Sequence, residues 1–259
     1  TMGARREENN DFGEFWSLRA DAAFLVHETD TRFFGSVGNA FRAPSFFELA
    51  DPVFGNPSVK PEQNFGYDAG VEQFLWDRRV NLRATWFNND IKDLVEFTAI
   101  SFDPFVGTFL NTGSANTRGF ELFGSIQPLD QVRLEAAATL MRTANDDGDR
   151  LLRRAPRTYT GRLVVSPLKG LVPKAFDGLE LSFEVFHKSG RTDMNFQNGQ
   201  RVRMDGYTRG DLAVNYRFLK HFRAFLRVEN FTDTKYEDVL SFPSDGANLL
   251  GGLEFQWRF

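Results

Sequence analysis

From Trp16 to its last residue this chain keeps returning to one pattern, with apolar side chains at every second position and polar or charged ones between them. A period of two is the side-chain period of a β-strand, and no 3.6-residue period competes with it anywhere. Trp16, Leu18, Ala20, Ala22, Phe24 and Val26 share one parity against Ser17, Arg19 and Asp21. Phe65, Tyr67, Ala69 and Val71 stand against Asn64, Asp68 and Glu72, and Val80, Leu82, Ala84 and Trp86 against Asn81, Arg83 and Thr85. The pattern returns at Val132–Leu140, Leu179–Val185, Leu212–Phe218 and Phe222–Val228. It ends on Leu253, Phe255, Trp257 and Phe259, opposed by Glu254, Gln256 and Arg258. Counted this way the chain holds about eleven strands, several as long as a tilted membrane-crossing strand needs to be.

The connections support a narrower reading. Short ones at Glu28–Asp30, Trp76–Arg78, Pro128–Asp130 and Leu219–His221, with Pro167–Asp177 the longest of that set, alternate with long ones. The long ones run Arg42–Gln63, Phe97–Gly107, Thr143–Pro156, Ser189–Gly206 and Thr232–Gly246. Short turns on one side and long loops on the other, with apolar residues to lipid and polar ones to a lumen, mark a transmembrane β-barrel. A soluble sandwich gives no reason for a long loop at every second connection. The sequence predicts an all-β, antiparallel transmembrane barrel, with residues 1–259 forming one barrel domain. Thr1–Asn10 is polar throughout and is expected to belong to an external loop.

Composition agrees and excludes alternatives. A mean hydropathy of −0.38 leaves no helical membrane span, while strands of alternating character average to just such a value. There is no cysteine, hence no disulfide framework or thiolate metal site, and a net charge of −4 gives no reason to expect nucleic acid as a partner. His27, His187 and His221 fall in different segments without metal-pair or nucleophile–base spacing, so no catalytic, cofactor or metal site is expected. Asn145–Asp149 lacks the spaced ligands and closing glutamate of a calcium loop.

Phenylalanine is the compositional outlier at 29 residues, and many lie in the long connections. Phe46, Phe47, Phe54, Phe102, Phe105, Phe109, Phe196 and Phe242 are the candidates for contact with a large ligand, against the plainer reading that they pack loop on loop. The polar parity nominates Arg83, Glu121, Arg133, Glu135, Arg162, Asp211, Arg227 and Glu254 for the lumen. Their signs are intermixed. An ion-selective pore biases its charges toward one sign, so mixed charges fit either a folded plug or mutual pairing on a hydrated wall.

Several segments resemble TonB-dependent outer-membrane receptors, particularly the cobalamin and ferric-siderophore branch. They are Phe41-Arg42-Ala43-Pro44 with Glu48-Leu49, Gly55-Asn56-Pro57, Lys60-Pro61-Glu62 and Asn88–Leu94. Asn111-Thr112-Gly113, Arg118–Leu122, and Asn230-Phe231-Thr232-Asp233 with Lys235-Tyr236 follow in order. The resemblance implies the C-terminal half of a barrel of 22 strands in the outer membrane of a Gram-negative bacterium. It also implies a plug and N-terminal strands absent from this chain, coupling to TonB through that plug, and a ferric siderophore or cobalamin as ligand. The final Leu253, Phe255, Trp257 and Phe259 resemble the signal by which such barrels reach their assembly machinery. A passive porin or adhesin barrel and an outer-membrane hydrolase are the alternatives, disfavoured by the mixed-sign lumen and by the lack of a nucleophile–histidine pairing.

Overall fold

The structure, a computed structural model, describes residues 1–9, 12–195 and 197–257. Twelve strands form one sheet: β1 (Met2–Asn9), β2 (Gly13–Val26), β3 (Thr31–Arg42), β4 (Glu62–Leu75), β5 (Val80–Lys92), β8 (Ser114–Leu129), β9 (Val132–Asn145), β10 (Arg157–Val165), β11 (Gly178–Lys188), β14 (Tyr207–Phe218), β15 (Phe222–Glu229) and β18 (Asn248–Phe255). Each pairs antiparallel with the one before it, so the sheet is a simple up-and-down meander. Three hairpins stand apart from it: β6 (Val95–Phe102) with β7 (Phe105–Asn111), β12 (Arg191–Asn195) with β13 (Gln200–Met204), and β16 (Glu237–Val239) with β17 (Phe242–Pro243). The one helix among the described residues, α1 (Phe46–Ala50), is far too short to cross a membrane.

All eleven strands expected from alternation lie in this sheet. The twelfth is β1, which corrects the reading of Thr1–Asn10 as loop. Arg5, Arg6, Glu7 and Glu8 put charge on both parities and hide the strand, which is defined by its ladder from Met2↔Ala20 to Asn9↔Gly13. The alternation of connections needs the same correction. β1 ends at Asn9 and β2 begins at Gly13, so these two strands follow each other closely at the end of the sheet that otherwise carries the long connections.

Register makes the two faces explicit, because residues directly opposite each other point the same way. One rung runs Phe33↔Val71↔Ala84↔Leu122↔Ala138↔Tyr159↔His187 and is apolar until its last member. Another runs Ser125↔Glu135↔Arg162↔Glu184↔Asp211 and is polar throughout. The apolar face stays uncovered, with Trp16, Phe24, Phe33, Leu82, Phe120 and Leu253 at least half exposed. A face like that needs lipid.

The buried apolar residues sit elsewhere. Val59, Ala115, Ala155, Met204 and Tyr207 all lie at the long-loop end, and Val164 is the exception. The packed part of the molecule is therefore a loop layer standing on a sheet.

Close strand approach at that end depends on Gly119. A Cβ there would overlap the carbonyl oxygen of Leu140 across the β8–β9 ladder. Gly119→Ala is expected to force the two backbones apart at a cost of about 1–3 kcal/mol, read as a lower urea midpoint for unfolding from vesicles. An unchanged midpoint would show that the ladder relaxes freely.

Candidate functional site: the external loop layer

Two clusters of residues build the loop layer. The first begins where β3 ends. Ser45 caps α1 by accepting from the Glu48 amide, while the Glu48 carboxylate accepts from the Ser45 amide, a reciprocal capping box. Arg42 spans the loop's base, with its guanidinium on Glu48 at 3.0 Å and Glu62 at 2.7 Å. Burial works against the Glu48 carboxylate, yet Arg42 and Ser45 hold it below its ordinary range. Asp51 then accepts from the amides of Val53 and Phe54. The exit of this loop is tied to the next one: Asn56 donates to the Phe109 carbonyl, Asn111 accepts from the Lys60 amide, and Glu62 accepts from the Val95 amide. Residues noticed as separate motifs in the sequence thus form one scaffold, which holds the first long loop against the β6–β7 hairpin.

That scaffold carries aromatic rings. Phe54 packs edge-on to Phe97 at 5.4 Å and Phe105 at 6.1 Å, Phe97 to Phe109 at 5.4 Å and Phe47 to Phe109 at 5.6 Å, while Phe102 lies tilted against Phe105 at 6.2 Å. Five of the eight candidate phenylalanines therefore share one cluster. Phe46, at 91% exposure, and Phe242, at 70%, stand outside it. Phe47 is half exposed and follows Phe46 in the chain, and Val53, later in the same loop, is exposed as well. Phe196 lies outside the described residues.

The second cluster joins three other loops. Asp193, on β12, is wholly buried and accepts from Arg153 Nε at 2.9 Å, the Met194 amide at 2.8 Å and the Leu240 amide at 2.8 Å. Those partners come from the loops after β9, β11 and β15. Desolvation opposes its charge, but these donors outweigh it and hold the carboxyl below its usual range. Arg191, also buried, reaches the Glu237 carbonyl and the Asp238 carboxylate, which in turn holds Lys188 Nζ at 2.8 Å. Tyr207 donates to Asp238 at 3.2 Å and stacks on Tyr236 at 3.9 Å between ring centres. Asn230 is 2% exposed and organises the turn after β15 by bonding Asp211, Thr232 and Thr234. The two clusters also meet, since the Phe102 ring fills the space beside Gly199.

Sequence reasoning missed Arg153, Arg191, Asp193 and Asp238 altogether. Nothing marks a buried Asp193 in a polar segment, because two of its three partners, Arg153 and Leu240, come from about 40 residues away or more. The short helix α1 is also absent from the sequence reading, although Ser45-x-x-Glu48 is a helix-start signal that could have found it.

The residues nominated for the lumen, Arg83, Glu121, Arg133, Glu135, Arg162, Asp211, Arg227 and Glu254, all fall on the polar face by register. That face is laced with ion pairs: Arg19–Asp21 at 2.7 Å, Arg32–Glu72 at 3.1 Å, Arg133–Glu135 at 2.9 Å, Arg223–Glu254 at 3.2 Å and Arg227–Glu229 at 3.1 Å. Arg83 instead lies over the Phe123 ring. Leu253 and Phe255 are on the apolar face, Phe255 packs against Phe222 at 5.0 Å and Trp257 at 6.0 Å, and Phe259 lies outside the described residues. Among the described residues, no three metal-ligating side chains converge. Asp146 in the acidic loop is instead engaged by Ser114.

A twelve-stranded up-and-down sheet with one bare apolar face and one ion-paired polar face is the wall of a transmembrane barrel. The family described as "TonB dependent receptor-like, beta-barrel" matches residues 1–231, and the chain belongs to it. The chain is also similar in fold to solved structures. The copper transporter OprC shares 18% identity at a TM-score of 0.75, over 94% of this chain and 40% of that one. The ferric enterobactin receptor PfeA of Pseudomonas aeruginosa, as a variant in complex with enterobactin, shares 18% at 0.75, over 98% and 42%. The siderophore receptor PirA of Acinetobacter baumannii shares 17% at 0.75, over 98% and 43%. The chain thus spans about two fifths of the length of these proteins.

Proposed function

We propose that this chain supplies wall and external loops to an outer-membrane receptor that imports a ferric siderophore, the large-chelate class to which most of the similar structures relate. The observation that carries the reading is the loop layer itself. The long connections are locked together around Arg42–Glu48–Glu62 and around Asp193, leaving the apolar side chains of Phe46, Phe47 and Val53 in the first long loop exposed. A bulky ligand with aromatic or apolar surface fits such side chains better than a bare metal ion does, and no cluster of metal-ligating side chains occurs among the described residues. A passive pore has little use for a rigid aromatic apex.

The sheet's outer strands β1 and β18 present unpaired backbone groups, which hydrocarbon does not tolerate. In the membrane they would pair with further strands, and the mixed charges of the polar face would meet a plug through which TonB acts. The apolar, aromatic end of β18 and Trp257 would serve delivery by the assembly machinery.

The test is ligand binding by the full-length protein, followed by tryptophan fluorescence, with a panel of ferric catecholate and hydroxamate siderophores, cyanocobalamin and cupric ion as probes. One ferric siderophore is expected to quench saturably, and Phe46→Ser with Phe47→Ser to weaken it about tenfold, a hot-spot loss. Saturable binding of cyanocobalamin or cupric ion alone would overturn the ligand class.

A further inference from the structure

The apolar face has no use for unpaired charge, yet at its long-loop end it carries three arginines without a partner acid. Arg118 on β8 stands directly opposite Arg142 on β9, and Arg157, the first residue of β10, stands opposite Leu140 on the same face. All three are exposed, and none makes a salt bridge among the described residues. Five arginines of the polar face behave differently: Arg19, Arg32, Arg133, Arg223 and Arg227 each find a carboxylate on their own face, whereas Arg83 there lies over the Phe123 ring. Asp90 is the acid nearest by register, since its neighbour-but-one Asn88 faces Arg118. Its two oxygens are taken by Asn88 at 2.7 Å and Asn116 at 2.6 Å, and it reaches neither arginine.

Like charges placed directly opposite across a ladder repel. The Arg118–Arg142 pair therefore stores an unfavourable interaction that an anion between the two would reverse. Depth identifies the anion's source. One step toward the sheet's middle on the same face lie Trp86, Phe120 and Tyr159, with Tyr67 packed on Trp86 at 5.4 Å. Aromatic residues of this kind mark the boundary between hydrocarbon and headgroups. The arginines just beyond them are at headgroup level. A guanidinium is a planar fork that matches the oxygens of a phosphate two at a time.

We propose that Arg118, Arg142 and Arg157 form a binding site on the outer wall of the barrel for the phosphate of a lipid headgroup, in the leaflet that meets the long loops. The site rests on the apolar face being the lipid face and is independent of what the loops bind. Its occupant is a lipid-borne phosphate, because the acyl chains of such a molecule would run down over Phe120, Leu122 and Tyr159, exposed apolar surface that a free anion cannot use.

The experiment uses the full-length protein in neutral detergent micelles, titrated with diphosphoryl lipid A, with the fully dephosphorylated lipid, and with inorganic phosphate as competitor. The diphosphoryl lipid is expected to bind saturably and about tenfold more tightly than the dephosphorylated one, with an affinity that falls as salt rises. Joint replacement by Arg118→Gln, Arg142→Gln and Arg157→Gln is expected to abolish that preference, whereas Arg223→Gln on the polar face is expected to leave it intact. Equal binding of the two lipids by the unaltered protein would overturn the site, and this comparison needs no variant to fold. Displacement by inorganic phosphate at equal concentration would overturn the lipid assignment, and an equal loss in Arg223→Gln would reduce the effect to bulk charge. Failure of the barrel reading would show separately, as a lack of insertion into vesicles.

Discussion

In an Asp193→Ala protein the loop layer should come apart while the barrel stays folded. Asp193 is fully buried and its two oxygens collect donors from the loops after β9, β11 and β15. Removing it takes away one acceptor shared by Arg153 and the Met194 and Leu240 amides, and breaking a buried charge pair in this way costs about 3–5 kcal/mol. Arg153 is partly exposed and water can recover some of its loss, so the lower end of that range applies. The cost falls on a layer that meets the sheet only at its rim. Limited proteolysis should therefore find new cleavage within residues 146–156, 189–206 and 230–247, while the temperature at which the barrel loses its compact gel mobility barely moves. Cleavage unchanged from the unaltered protein would show that the loops are held by something other than this carboxylate.

Acid should do reversibly what the substitution does permanently. The Asp193 and Glu48 carboxyls are both held below their ordinary range in the folded protein. Groups depressed in this way stabilise fully above their unfolded-state values, near 4. That contribution is lost as pH falls below those values and through the depressed native ones. Loop protection should therefore be flat from neutrality to about pH 5 and decline only below about pH 4.

The second large effect separates the two faces of the sheet. Leu134 lies on the apolar face between Ile126 and Leu163, and Glu135 on the polar face between Ser125 and Arg162. Leu134→Arg puts a cation into hydrocarbon and should cost about 2–4 kcal/mol of folding in bilayers. Glu135→Arg gives up the 2.9 Å pair with Arg133 and adds a like charge near Arg162, but on a hydrated wall such terms amount to about 1 kcal/mol or less. Urea titration of both variants in phospholipid vesicles gives the comparison. Equal sensitivity would mean that the assigned faces are wrong.

How far the sequence could be read differs between the sheet and the layer above it. The strands from Trp16 to Phe255 were legible because lipid on one side and polar partners on the other impose the same alternation on every residue pair. β1 was not legible, since Arg5 through Glu8 alternate nothing, and only its hydrogen bonds to β2 make it a strand. The small hairpins β6–β7, β12–β13 and β16–β17 were read as loops for a related reason. They are shaped by contacts with one another, such as Phe102 beside Gly199 and Leu240 on Asp193, and not by a face turned toward one solvent.

Candidate residues divide along the same line. The eight polar-face positions, Arg83 to Glu254, followed from parity, because a side chain's direction in a strand is set by its number alone. Whether a charge there is paired, as Arg223 is with Glu254, or lies over a ring, as Arg83 does, depended on which strand became the neighbour. The phenylalanines were visible as an excess in the loops. Their division into a packed cluster around Phe54 and the exposed Phe46 and Phe242 outside it was not. By itself, then, the sequence determined the eleven alternating strands, their facing and the family resemblance, since these depend on local period and on ordered motifs. Tertiary structure alone decided which loops hold each other, where Asp193 is buried and why Arg118 meets Arg142. Each of those outcomes joins residues from different strands or loops, and a period of two carries no information about partners that far apart.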